Sequence, residues 1–131
     1  MTDALRILVV DDEPDTLGLI KLTLQTAGYQ VQTATGGRQG LRLVREEPFD
    51  VVILDIMMPD VSGFDVMREL NTDPTPPPPV IFLTARSGEE DQETGMSLGV
   101  SNYLLKPITR GSLLDAINQA LGTTPEPDAS P

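Results

Sequence analysis

The chain has 131 residues and contains no cysteine, no histidine and no tryptophan. Without cysteine there is no disulfide framework, no thiolate zinc site and no thiol nucleophile. Without histidine the commonest metal ligand and acid/base group is missing, and a phosphohistidine carrier is excluded. No apolar run of signal-peptide type follows Met1, and no apolar segment approaches ~18 residues, so no membrane span is expected and the chain reads as cytoplasmic. Positive charge is scarce: 9 basic residues face 20 acidic ones, a formal net charge of −11. That balance argues against attraction to nucleic acid or to an anionic membrane. The acidic excess fits two explanations, solubility of a monomeric domain or cation binding, and charge alone favours neither.

What is present is enough for one domain with a full core, held without disulfides or a structural metal. The stretch Val51-Val52-Ile53-Leu54-Asp55 sets the frame. Its four apolar residues read as a strand buried on both faces. A carboxylate inside such a run would be costly, but Asp55 stands at its C-terminal end, where ligands bind in open parallel sheets. Pro59 and Gly63 force a loop just beyond it.

Taken in order, residues 5–10 form a first strand that stops at Asp11-Asp12-Glu13. Pro14 opens a helix with Leu17, Ile20, Leu24 and Ala27 inward, ended by Gly28. Residues 29–34 alternate as a second strand, and a helix through Arg45 follows from Thr35 or Gly36, with Leu41 and Val44 inward. After the third strand, residues 63–70 make a short helix with Phe64, Met67 and Leu70 inward. Residues 71–79 hold five prolines and predict an extended connection. Residues 80–83 form a fourth strand ending at Thr84-Ala85, residues 88–98 a fourth helix, and a short fifth strand ends at Leu104-Leu105 before Lys106-Pro107. Thr109 caps a last helix with Leu113, Leu114, Ile117 and Leu121 inward. Residues 1–121 thus read as one domain, and the proline-bearing tail 122–131 as disordered. Strict strand–helix alternation implies an α/β fold: a doubly wound, five-stranded parallel sheet with helices on both faces.

In such a sheet every strand C-terminus points to one edge. Asp11, Asp12, Asp55, Thr84 and Lys106 all follow strand ends. Singly each is unremarkable, as a solvated turn, a β-prone threonine or a surface lysine; their joint placement is the signal. Carboxylates ~4 Å apart repel by about 4 kcal/mol per pair at an effective dielectric of ~20. Lys106 offsets part of that and a divalent cation offsets more. All-oxygen ligands without histidine or cysteine select a hard ion, Mg²⁺ first. A carboxylate beside Mg²⁺ can attack phosphorus, and a hydroxyl and an ammonium nearby can hold the phosphoryl oxygens.

Four motifs then carry a family resemblance: Val9-Val10-Asp11-Asp12-Glu13-Pro14, Leu54-Asp55-Ile56-Met57-Met58-Pro59-Asp60 with Gly63, Leu83-Thr84-Ala85-Arg86, and Tyr103-Leu104-Leu105-Lys106-Pro107. Together, over residues 5–121, they resemble the receiver domains of two-component response regulators. The resemblance implies the flavodoxin-like (βα)5 fold with strand order 2-1-3-4-5. It implies that Asp55 is the phosphoacceptor, and that Mg²⁺ is held by the side chains of Asp12 and Asp55, the backbone carbonyl of Met57 and, through water, Asp11. Thr84 and Lys106 would bind the phosphoryl group, Tyr103 would turn inward with Thr84, Ala85 would keep the site open, and the Lys106–Pro107 bond would be cis. Met57 and Arg86 would tune dephosphorylation. The implied partners are a histidine kinase or histidine phosphotransfer protein and a downstream effector protein, with neither nucleic acid nor membrane bound by this chain, as a monomer or a weak dimer on phosphorylation.

Departures and rivals are few. Val100-Ser101-Asn102 stands where such domains often carry Ala-Asp-Asp, which alters a partner-facing loop. The proline run 74–79 is longer than usual and reads as a tolerated insertion, with a segment for aromatic-grooved domains as the sharper alternative. Thr35-Gly36-Gly37-Arg38-Gln39-Gly40 is not a dinucleotide fingerprint, because the glycine spacing is wrong and it follows the second strand. A metal-dependent phosphohydrolase would need a second carboxylate where Met57 stands, and a non-phosphorylated pseudo-receiver would normally lack Asp55 or Lys106. A stand-alone regulator, a phosphorelay intermediate and a piece of a DNA-binding transcriptional regulator all remain compatible with the sequence.

Overall fold

The computed structural model describes residues 4–85 and 89–122. Five strands, β1 (Arg6–Val10), β2 (Gln30–Ala34), β3 (Val51–Asp55), β4 (Val80–Thr84) and β5 (Asn102–Leu105), alternate with helices α1 (Pro14–Thr26), α2 (Gly37–Glu46), α3 (Gly63–Asn71), α4 (Glu89–Ser97) and α5 (Arg110–Leu121). The sheet is parallel throughout, in the order β2-β1-β3-β4-β5. This is the doubly wound order that the resemblance implied. The expectation of a disordered tail falls on residues 123–131, and that for Arg86 on its own position; both lie outside the described residues.

The central strands are apolar on both faces because both faces are covered. Ile7 and Val9, Val51 and Ile53, and Ile81 and Leu83 pack with Leu17, Ile20 and Leu24 of α1 and Leu113, Ala116 and Ile117 of α5. The alternate residues Leu8 and Val10, Val52 and Leu54, and Val80 and Phe82 pack with Leu41 and Leu43 of α2 and Val66, Met67 and Leu70 of α3. Ala27, Val44, Phe64, Leu114 and Leu121, expected inward, are only partly buried, whereas Leu43, Val66 and Ala116 are buried. A helix laid on a sheet buries a stripe wider than one residue per turn, so positions flanking the stripe trade places with its ends.

Turn chemistry fixes how each strand hands the chain to its helix. Glu13 is the N-cap of α1 with Pro14 just inside, and Gly28, at φ +99°, follows its C-terminal turn. Thr109 caps α5, accepting from the Ser112 N–H at 3.1 Å, as expected. The proline stretch 74–79 forms no regular element. It is tied at both ends: Arg45 of α2 donates two 2.9 Å hydrogen bonds to Asp73, and the Val52 N–H donates to the Pro79 carbonyl at 2.9 Å.

Candidate functional site

Parallel order places the C-terminal ends of β1, β3, β4 and β5 side by side, and the side chains just beyond them meet. Asp11, Asp12 and Asp55 each put a carboxylate oxygen within 4.8 Å of the others. Asp11 is wholly buried, Asp55 is 3% exposed, and Asp12 faces solvent. Lys106, at the end of β5, sends its ammonium into this group: it lies 3.1 Å from Asp11 Oδ2, 3.0 Å from Glu13 Oε1 and 3.5 Å from Asp55 Oδ2. Thr84 is buried at the end of β4. Asp12, Glu13, Asp55, Met57, Ala85 and Lys106 line a shallow depression of about 250 Å³. A larger hollow of about 360 Å³, walled by Val44, Leu70 and the prolines 74–78, lies at the opposite edge of the sheet.

The backbone steers both buried carboxylates. Asp11 Oδ1 accepts from the Glu13 N–H at 2.9 Å, and Asp55 Oδ1 accepts from the Met57 N–H at 3.1 Å. In both, the other oxygen is left to face Lys106. Gly63 makes the loop after Asp55 possible: its N–H donates to the Ile56 carbonyl at 2.9 Å, and a Cβ there would lie 2.6 Å from the Asp55 carbonyl oxygen. Any other residue would push α3 off the end of β3. The Lys106–Pro107 bond is cis.

Burial, and then the neighbouring Asp11, push the Asp55 carboxyl up to about 6, against the pull of Lys106 and the Met57 N–H. Burial draws the Lys106 ammonium down, but Glu13, Asp11 and Asp55 together outweigh it and hold Lys106 above its ordinary value. The Glu13 carboxyl lies below its usual range because Lys106 is hydrogen-bonded to it. Three acidic groups thus share one ammonium. Asp11 Oδ2 is buried and completes no hydrogen bond even with that ammonium close by. A buried carboxylate oxygen left in that state, inside an all-oxygen group carrying excess negative charge, fits a small hard cation.

Tyr103 lies half-buried on β5, edge-on to Phe82 with ring centroids 5.8 Å apart, and Phe82 is edge-on to Phe64 at 5.5 Å. Its hydroxyl lies directly over Gly95 of α4, where a side chain would collide with it. Met57 is exposed at the mouth of the depression.

Of the side chains singled out in the sequence on this rim, Asp11, Asp12, Asp55 and Lys106 come to one place, with Met57 and Ala85 at its margin. Thr84 is buried at the adjoining end of β4, its carbonyl accepting from the Lys106 N–H at 2.8 Å. Sequence reasoning passed over two others. Glu13 pairs with Lys106; the signal was Pro14, which pins Glu13 as the residue between the acidic pair and a helix start. Asp60 accepts from the Gly37 and Arg38 N–H groups, both at 3.1 Å, and so caps α2 from a distant loop. The glycine-rich start of α2 therefore holds an internal carboxylate, in keeping with the rejection of a dinucleotide site there.

The family signature of the response regulator receiver domain matches residues 7–118. Protein PilH of Pseudomonas aeruginosa is 40% identical over 117 residues, 88% of this chain and 97% of PilH. The transcriptional regulatory protein KdpE of Mycobacterium tuberculosis is 40% identical over 115 residues, but the chain spans only 50% of it. Among solved structures, the chemotaxis response regulator CheY4 of Vibrio cholerae superposes with a TM-score of 0.82 at 31% identity, over 91% of this chain and all of that one. Rim, fold and sequence agree, and the chain belongs to the response-regulator receiver family.

Proposed function

We propose that this chain is a phosphorylation-dependent switch in which Asp55 accepts a phosphoryl group from a phosphohistidine donor, a histidine kinase or a histidine phosphotransfer protein. The observation that carries the reading is the disposition of Asp55: a buried carboxylate with Oδ1 fixed by the Met57 N–H and Oδ2 turned toward the Lys106 ammonium at 3.5 Å, beside two further aspartates. An Asp55 oxygen attacks phosphorus, the P–N bond to the donor imidazole breaks with its electron pair leaving on nitrogen, and an acyl phosphate remains. Lys106 and the Thr84 hydroxyl donate to the phosphoryl oxygens. Asp12 and Asp55 through side chains, Met57 through its carbonyl and Asp11 through water would hold Mg²⁺, which supplies charge neutralisation to the transferring group. Water later hydrolyses the acyl phosphate. No other reaction is assigned to the chain.

The switch acts by binding one conformation better than another. Thr84 and Tyr103 are the elements that respond, and the face built by α4, β5 and α5 addresses an effector protein. That face exposes Met96 and Leu105, at 56% and 50%. Residues 1–121 form the receiver and 122–131 a tail or linker. The half-length match to KdpE favours a second reading, a receiver belonging to a longer transcriptional regulator; the native open reading frame separates the two. The phosphoacceptor reading is tested by incubating the protein with acetyl phosphate and Mg²⁺. The expected result is a mass gain of one phosphoryl group, lost with EDTA and absent in Asp55→Ala. No gain refutes it, and rapid turnover of phosphomonoesters favours a hydrolase.

A further inference from the structure

Lys106 is not poised on Asp55. Its ammonium lies closer to Glu13 Oε1, at 3.0 Å, and to Asp11 Oδ2, at 3.1 Å, than to Asp55 Oδ2, at 3.5 Å. Asp11 is part of the buried acidic group, but Glu13 stands at its mouth, with a side chain 60% exposed. Its place is fixed from both directions. Its backbone N–H donates to Asp11 Oδ1 and its carbonyl accepts the Leu17 N–H at 3.0 Å, so it is locked as the N-cap of α1. Its side chain makes no cap bond to the helix; instead Oε1 accepts from the Thr16 hydroxyl at 3.2 Å and from Lys106. The carboxylate that a helix N-terminus would ordinarily take is spent on the lysine.

Resting on the phosphoacceptor reading, we propose that Glu13 is a positioning residue that competes with the phosphoryl group for Lys106. Unphosphorylated, Glu13 keeps the ammonium drawn to the mouth of the site. A phosphoryl group on Asp55 must win that ammonium away from a fixed anion, so Glu13 raises the threshold at which the switch engages. The ion pair is partly exposed, so its weight is modest: removing the charge should favour the engaged state by about two- to fivefold. Gln at this position keeps the length and the carbonyl oxygen facing Thr16, and loses the negative charge.

The test is the Mg²⁺-dependent affinity for beryllofluoride, a phosphoryl mimic, in the wild type, Glu13→Gln, Asp15→Asn and each of the first two combined with Lys106→Met. Asp15 stands two residues further on, in the first turn of α1, is exposed, and is not among the carboxylates paired with Lys106. The expected result is tighter binding by about two- to fivefold in Glu13→Gln, no change in Asp15→Asn, and no effect of Glu13→Gln once Lys106 is Met. A purely structural role for Glu13 would weaken binding. Unchanged or weaker binding in Glu13→Gln overturns the inference while leaving the phosphoacceptor reading intact. An equal gain in Asp15→Asn, or a gain that survives in the Lys106→Met background, overturns it in favour of a general charge effect. A wild type that binds no beryllofluoride removes the reading on which it rests, and the inference with it.

Discussion

Lys106 at the end of β5 reaches past the end of β4 to stand 3.5 Å from Asp55 Oδ2 at the end of β3. The two residues are 51 positions apart in sequence. Only the parallel strand order makes them neighbours, and the same order brings Asp11 to the ammonium's other side. Lys106 is thus a counter-ion for two buried carboxylates and, on the proposed reading, the donor to a phosphoryl oxygen on Asp55.

Replacing it separates the two tasks. Lys106→Met leaves Asp11 and Asp55 buried without their cation, which should cost about 2–3 kcal/mol in urea denaturation at pH 7 in EDTA. The loss should shrink with Mg²⁺, and also at pH 5, where Asp55 takes up a proton. A loss independent of both would mean that Lys106 contributes packing rather than charge.

Asp55 itself should show an inverted pH dependence. Its carboxyl is held at about 6 in the fold against 3.8 in the open chain. The native state therefore binds the extra proton between those values, and stability falls as pH rises from about 4 to about 6. A shift of that size corresponds to roughly 2–3 kcal/mol, fully absent below about pH 4 and fully expressed above about pH 6. Metal-free Asp55→Asn should accordingly be more stable than the wild type at pH 7 and no more stable at pH 4. Glu13, Asp60 and Asp73, whose carboxyls are held low by Lys106, by the α2 N–H groups and by Arg45, act in the opposite sense, but they are common to both proteins. Saturating Mg²⁺ should narrow the gap. Equal stabilities at pH 7 in EDTA would contradict the account.

The rim was legible because each of its members follows a strand end that the apolar runs mark clearly: Val51 to Leu54 point to Asp55, and residues 80–83 to Thr84. Lys106 was legible through Pro107. What was not legible are contacts between elements whose spacing in sequence carries no period. Glu13 read as one more acid in a turn, because nothing local says that a lysine 93 positions away will meet it. Asp60 read as part of a motif, yet its carboxylate caps α2 across 22 and 23 positions. Helix faces were legible to within a residue, which is why Leu43 and Val66 were passed over beside Leu41 and Met67.

The cap can be tested alone. Asp60→Ala strips the Gly37 and Arg38 N–H groups of their acceptor and should cost about 1–2 kcal/mol, with Asp60→Asn losing much less. Thermal denaturation of the two variants measures this, and equal losses would mean that the charge, not the hydrogen bonds, holds α2.

Gly95 and Tyr103 offer a test of the β5–α4 contact. Gly95→Ala places a methyl against the Tyr103 hydroxyl. The ring must leave its position over α4, at a cost of about 1–3 kcal/mol, and its edge-on contact with Phe82 should be lost. Ring-to-ring nuclear Overhauser effects between Tyr103 and Phe82 report this directly; contacts retained at wild-type strength would mean that α4 moves instead.

The central claim is that the phosphoryl group goes to Asp55 and to no other carboxylate of the rim. An acyl phosphate reduced with borohydride leaves homoserine in place of aspartate, and peptide mass spectrometry locates it. After incubation with acetyl phosphate and Mg²⁺, the account predicts homoserine at position 55 alone. Homoserine at position 11 or 12, or a phosphorylated chain in which position 55 is still aspartate after reduction, would contradict it.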